Sequence, residues 1–165
     1  MFRKSALLVL FTLLIVGCDF NAPTTFSDEA LKDNSFSTID NKIIDFQSII
    51  NQYKGETVLI NVWASWCKDC IVGMPDLKEF QKKYPEIKYV FLSTDRSIFR
   101  WKKAMKKYNL KGAHFFMKNG LNSDFGDFLN SNWIPRYMVI NKKGKINLFK
   151  AKRITDKRIV EAIKK

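Results

Sequence analysis

The sequence predicts an α/β domain: a central mixed β-sheet with helices on both faces, closed by a C-terminal β-hairpin and helix. Two observations predict it. Two apolar runs with the character of buried strands, Thr57 to Trp63 and Tyr89 to Ser93, alternate with two stretches of helical periodicity, an order that calls for parallel strands joined by crossover helices. The C-terminal part then changes character. Tyr137 to Ile140 and Ile146 to Phe149 flank the turn residues Lys142-Lys143-Gly144, which is the pattern of an antiparallel hairpin. At 165 residues the chain suits one domain with one hydrophobic core, without need of structural metals or several disulfides.

Arg3 and Lys4 precede the apolar run Ala6 to Val16, which is shorter than the roughly 20 residues needed to span a bilayer. Residues 1–17 therefore read as a signal peptide. Leu14-Ile15-Val16-Gly17-Cys18 resembles a bacterial lipobox. The resemblance implies that Cys18 is lipidated and anchors an exported chain in the bacterial cell envelope, on the periplasmic side. Residues 18–33 are polar, contain Pro23 and lack periodic apolar positions, so they are assigned to a linker, with the folded domain over 34–165.

Within that domain, a short strand at Phe36, a turn at Asp40-Asn41 and a strand at Ile43 and Ile44 precede Phe46, Ile49, Ile50 and Tyr53 at helical spacing. Thr57 to Trp63 is apolar and rich in β-branched residues, as suits a strand buried on both faces. Ile71, Met74, Leu77 and Phe80 then recur at helical spacing, with Pro75 expected to kink the helix because it removes a backbone donor. Asp95 is placed as the N-cap of a helix over Arg96 to Tyr108, in preference to a remote acid–base group at the end of the second strand. His114 to Met117 is assigned to an edge strand, Asp124 to Leu129 to a short helix, and Thr155 to the start of the closing helix carrying Ile159, Val160 and Ile163.

The chemistry lies between the first buried strand and the helix that follows it. With Cys18 assigned to lipid, Cys67 and Cys70 remain of the three cysteines, at C-x-x-C spacing, and a pair so spaced can form and break a disulfide between its members. Cys67 would lie at the helix N-terminus, where backbone amides favour a thiolate. In the dipeptide between the cysteines, Lys68 favours that thiolate and Asp69 opposes it, with no clear net sign. Export suits such a pair, since a disulfide persists outside the reducing cytoplasm.

Val62-Trp63-Ala64-Ser65-Trp66-Cys67-Lys68-Asp69-Cys70, Pro75, and Ile134-Pro135 ahead of a hairpin bearing Gly144-Lys145 resemble the thioredoxin superfamily over residues 34 to 165. The branch they resemble is the TlpA/ResA-like group of membrane-tethered thiol–disulfide oxidoreductases. The resemblance implies a thioredoxin-like fold, a cis bond before Pro135 facing the disulfide, Cys67 as nucleophile and Cys70 as resolving thiol. It further implies that Trp66, Ile134 and Pro135 form a platform for a substrate chain. Protein thiols and disulfides are the implied substrates, and a membrane electron donor the implied partner. No cofactor or metal is expected. Two positions depart from the pattern. Asn61 stands where thioredoxin has a buried acid, and Gly73 where cytochrome-maturation members carry a glutamate, so neither specialised role is implied.

Other classes fit less well. Phe91 to Asp95 is shared in kind with peroxiredoxins, but the proline and threonine before a single peroxidatic cysteine are missing. A closed zinc site needs four ligands, and beyond Cys67 and Cys70 the chain offers one histidine, His114, in an apolar strand. A peptide-binding scaffold with little turnover stays open. The net charge is +13, or +11 once Arg3 and Lys4 leave with the signal peptide, for 27 basic side chains against 16 acidic. Because the lysines are spread along the chain, they are read as a solvated surface rather than a nucleic-acid footprint.

Overall fold

The computed structural model describes residues 22–165; the signal segment 1–17 and Cys18 lie outside the described residues. In chain order the elements are α1 (Asp28–Lys32), β1 (Phe36–Ser37), β2 (Ile43–Ile44), α2 (Phe46–Asn51), β3 (Val58–Trp63), α3 (Lys68–Val72) and α4 (Met74–Lys83). They are followed by β4 (Lys88–Ser93), α5 (Ile98–Tyr108), β5 (Ala113–Met117), α6 (Asp124–Leu129), β6 (Arg136–Ile140), β7 (Ile146–Ala151) and α7 (Lys157–Ile163). The seven strands form one sheet in the order β2-β1-β5-β4-β3-β6-β7.

The sheet is mixed, as the sequence predicts. β3, β4 and β5 run parallel, with Asn61 opposite Phe91 and Leu92 opposite Phe115, while β6 pairs antiparallel with β3 and β7 with β6. All six residues of β3 are buried, the condition that its unbroken apolar run implies. β5 is not an edge strand, because β1 pairs antiparallel along its outer side and leaves β2 at the margin. The sequence signal at β5 is short and flanked by polar residues. What encloses it is an N-terminal hairpin distant in sequence.

The expected helix after β3 is two helices. Gly73 ends α3 and precedes α4, and Pro75 falls in the first turn of α4, where its missing N–H costs no intrahelical bond. The closing helix is capped by Asp156, whose side chain accepts from Arg158 N, one residue beyond Thr155. For α5 the cap is Ser97, accepting from Arg100 N at 3.3 Å, and not Asp95.

The linker assignment to 18–33 also extends too far. α1 lies within it, with Ala30 fully buried and the Ser27 side chain capping Ala30 N. Phe26 packs edge-on against Phe46 at 4.9 Å, and Phe46 meets Phe125 at 4.3 Å, so an aromatic cluster holds the segment to the sheet. Asp33 completes the attachment: its carboxylate accepts from Ser35 N at 2.8 Å and from Phe125 N at 2.9 Å. Compositional polarity had concealed these few anchoring contacts.

Burial pushes the Asp33 carboxyl up, but the hydrogen bonds donated around Ser35 and by the Phe125 amide outweigh it and hold the group below the usual carboxylate range. A carboxyl lowered in the folded state contributes stability in full above its unfolded value, and that contribution is lost as pH falls through the folded value. Asp33→Asn is expected to cost about 1–3 kcal/mol near neutral pH and to lose less stability than the wild type on acidification below about pH 4. Urea unfolding of both proteins across that range checks it; parallel acid slopes would contradict the assignment.

Candidate active site

β3 ends at Trp63, and Ala64 to Trp66 carry the chain over the C-terminal end of the sheet to α3. Cys67 is the N-cap residue of α3, in extended conformation, and its amide donates to the Ala64 carbonyl at 3.2 Å. Cys67 and Cys70 are joined as a disulfide with their Cα atoms 5.3 Å apart. One α-turn supplies this separation, which explains why the C-x-x-C spacing sits at a helix start. Cys70 N donates to Cys67 Sγ at 3.1 Å. Both residues are buried, at 6% and 3% exposure, so bulk burial barely distinguishes them. Their surroundings do, since Cys67 adjoins Trp66, which is 54% exposed, while Cys70 sits inside the first turn of α3.

The Ile134–Pro135 bond is cis, in keeping with the resemblance, and the Ile134 carbonyl oxygen lies 3.6 Å from Cys67 Sγ. Cys67, Cys70, Ile134 and Pro135 therefore converge, although 67 residues separate the first from the third. Trp66 is turned to solvent, whereas Trp63 is fully buried, which separates the surface tryptophan of the motif from the core one.

Beside Pro135 a cleft of about 510 Å³ opens between the start of α4 and the segment after β7, lined by Val72, Asp76, Trp133, Tyr137 and Ile154 among others. Trp133 and Val72 are exposed, at 52% and 68%, and Lys152 Nζ sits 5.8 Å from the centre of the Trp133 ring. Sequence reasoning missed Trp133, Val72 and Lys152. Trp133 and Val72 could have been found, since the first directly precedes Ile134-Pro135 and the second lies two residues past Cys70; Lys152 comes from the segment after β7 and had no local signal. Burial first, and then the Asp76 carboxylate, push the Tyr137 phenol upward.

Arg136, next to the cis-proline, is buried at 2% exposure. It donates through Nη2 to Leu129 O at 2.8 Å and through Nε to Phe149 O at 3.2 Å, and its guanidinium lies 4.6 Å from the centre of the Phe149 ring. Burial lowers it to about 10. Asn61 is buried beneath the strand end with Oδ1 lacking a hydrogen-bond partner, and Tyr137 and Phe91 are its neighbours across the sheet. No acid occupies that position. His114 stacks on Phe91 at 4.6 Å, and its Nε2 contacts Leu110 O at 3.1 Å. Desolvation lowers its pKa, against the opposing hydrogen bond to Leu110. Among the described residues no group of three or more His, Cys, Asp or Glu side chains converges as a metal site would require.

The largest departure from the sequence reading is Asp95. It is buried at 3% exposure, and its carboxylate accepts from Ser65 N at 3.1 and 3.2 Å, Ser65 Oγ at 2.6 Å and Ser93 Oγ at 2.8 Å. It thus holds the Ala64–Trp66 loop two residues before Cys67. The available signal is its place just past the C-terminal end of a parallel strand, where open α/β sheets carry their sites. Asp95→Ala leaves the Ser65 and Ser93 donors unpaired in a buried location, with an expected loss of about 2–4 kcal/mol. Chemical denaturation of the oxidised protein checks the magnitude, with Asp95→Asn losing less; an effect below about 0.5 kcal/mol would reject the clasp.

A family model described as thioredoxin-like matches residues 55–146. The thioredoxin-like protein YneN of Bacillus subtilis is 26% identical over 158 residues, covering 88% of each chain. ResA of Bacillus thuringiensis, named a thiol–disulfide oxidoreductase, is 30% identical over 100 residues, which are 59% of this chain and 56% of ResA. Among solved structures, a Bacteroides vulgatus protein described as a thiol–disulfide oxidoreductase is 30% identical, with a TM-score of 0.66, covering 83% of this chain and 88% of that one. With the family match running through the cysteine pair and the cis-proline on one continuous fold, the chain belongs to the thioredoxin-like family as a TlpA/ResA-like member.

Proposed function

We propose that this chain is an exported, membrane-anchored enzyme that reduces protein disulfides through the Cys67/Cys70 dithiol. Thiol–disulfide exchange is its reaction. The observation that carries the reading is the Cys70 amide directed at Cys67 Sγ at 3.1 Å, under an exposed Trp66. A backbone N–H on sulfur favours the thiolate over the thiol, so Cys67 is the attacking member.

In the reduced enzyme the Cys67 thiolate attacks one sulfur of a substrate disulfide. A Cys67–substrate disulfide forms and the first substrate thiolate departs. Cys70, deprotonated in turn, attacks Cys67 Sγ, which breaks the mixed disulfide and releases the second substrate thiolate. Two electrons and two protons pass to the substrate, and the Cys67–Cys70 disulfide remains. A dithiol partner must reduce it for the next turnover. The substrate chain lies against Trp66, Ile134 and Pro135, and the Ile134 carbonyl, 3.6 Å from Cys67 Sγ, is placed to receive a backbone N–H of that chain.

Support for the reducing direction comes from the branch, whose exported members are kept reduced by a membrane electron conduit. Support for the anchor comes from the Leu14-Ile15-Val16-Gly17-Cys18 segment. Asn61 and Gly73 leave no ground for assigning thioredoxin's internal acid or the cytochrome-maturation role.

Cys70→Ala is expected to accumulate mixed disulfides with partner proteins, whereas Cys67→Ala forms none; non-reducing electrophoresis reads both, and absence of trapping by either variant would leave a binding scaffold in place of an enzyme. The Cys67/Cys70 couple is expected well below the strongly oxidising end of the exchange scale, which lies at about −120 mV; a measured potential there overturns the reducing direction. Metabolic labelling with a radioactive fatty acid is expected to mark the wild-type chain and not Cys18→Ser, and equal labelling removes the anchor assignment.

A further inference from the structure

We propose that the end of the domain opposite the disulfide is a docking surface for an anionic phospholipid bilayer. β3, β4 and β5 run in one direction, with the disulfide just past the C-terminal end of β3. Their other ends collect the segments that enter them, and so bring together Lys54, Lys88 and Lys111; the turn between β6 and β7 adds Lys142, Lys143 and Lys145. All six are exposed.

Register and contacts place them at one end. Val58 lies opposite both Lys88 and Ile140, so the start of β4 and the end of β6 flank the start of β3. One cleft is lined by Tyr53, Lys88 and Lys111, and a second by Lys54, Lys142 and Lys143. The last turns of α4 and α5 add further basic residues there. Of the acids nearby, Glu56 faces Lys88 at 3.5 Å and Glu79 faces Lys82 at 2.6 Å, while Glu86, exposed two residues before Lys88, offsets one of the positive charges. Scattered in sequence, the lysines are gathered by topology.

The chain leaves the described domain at the same end. The Thr24 carbonyl accepts from Ile146 N at 2.8 Å, immediately after Lys145. Resting on the anchor proposed above, the lipid on Cys18, six residues before Thr24, presents this end to the membrane first. Basic residues next to a membrane-associated segment are attracted to anionic headgroups within about a Debye length. Nucleic acid is the competing polyanion, but single-strand binding pairs basic grooves with aromatic platforms. The exposed aromatic side chains Trp66, Phe99 and Trp133 stand at the disulfide end: beside Cys67, in the first turn of α5, and before Pro135. A bilayer under the basic end leaves the disulfide facing outward.

The test uses the full chain and two triple variants of equal charge, Lys142→Glu/Lys143→Glu/Lys145→Glu at the basic end and Lys118→Glu/Lys150→Glu/Lys157→Glu towards the disulfide end. Binding is measured by co-sedimentation with vesicles of phosphatidylcholine alone and of phosphatidylcholine mixed with phosphatidylglycerol, after circular dichroism has shown each variant folded. The N-terminal anchor contributes equally to all, so the readout is the gain that phosphatidylglycerol brings. A gain in the wild type, abolished by high salt, reduced at least about tenfold in the first variant and retained by the second, is the expected result. No gain in the wild type, a gain retained in the first variant, or equal loss in both overturns the proposal. Tighter retention on single-stranded DNA than on the anionic vesicles, lost in the first variant alone, also overturns it and assigns this end to nucleic acid.

Discussion

A carboxylate buried at the C-terminal ends of two parallel strands holds the working part of this molecule in place. β3 and β4 finish side by side at Trp63 and Ser93. Beyond them the backbone would lose its ladder partners, yet Thr94 N still donates to Trp63 O at 2.9 Å, and Asp95 takes up the Ser65 amide and hydroxyl. Buried carboxylates persist when hydrogen bonds satisfy their oxygens, and three donor groups do so here. The loop that delivers Cys67 is therefore fixed from the β4 side, while the cis-proline segment approaches from the β6 side. A helix start and the cis-proline turn, from distant stretches of sequence, meet at Cys67 Sγ, beside the loop that Asp95 holds.

The electrostatics of the site follow from what is absent as much as from what is present. Asn61 puts an amide and not a titratable acid in the middle of β3, with Phe91 and Tyr137 beside it on the neighbouring strands. Proton traffic at Cys70 cannot run through a carboxylate at that position. Arg136 brings a buried guanidinium next to the cis-proline, held by two carbonyls and an aromatic face instead of an acid. Asp95 and Arg136 thus place opposite charges on the two segments that flank the disulfide, each stabilised by its own hydrogen bonds.

Much of this was legible in the sequence, for reasons that differ by element. β3 and β4 announce themselves because strands buried on both faces must be apolar throughout. The cysteine pair and Pro135 are legible because few residue types can do what they do. Asp95 was misread because an acid ahead of a helix has a sufficient local role as a cap, and nothing local says that Ser97 takes that role while Ser65, 30 residues away, engages the carboxylate. The N-terminal segment was misread as linker because Ala30, Phe26 and Asp33 are three contacts in a polar stretch. β5 was placed at an edge because its cover, β1, is two residues long and weaker as a signal than the strand it protects.

The same strand polarity that makes the site also separates the charge. Crossover helices return antiparallel to the parallel strands, so α4 and α5 both end at the pole away from the disulfide. Basic residues in a final helical turn are favoured by the partial negative charge of the free carbonyls there, and both helices carry lysines in that position. Lys83 and Lys107 also lie over the rings of Tyr84 and Tyr108. Local stability accounts for those lysines without any partner. It does not account for Lys54, Lys111, Lys142, Lys143 and Lys145, which lie outside helices and strands. These five like charges, in three separate loops at the end where the chain leaves the domain, repel one another and serve no helix terminus. They are the part of the basic pole that calls for an external anion, and on the proposed Cys18 anchor a lipid surface is the anion at hand.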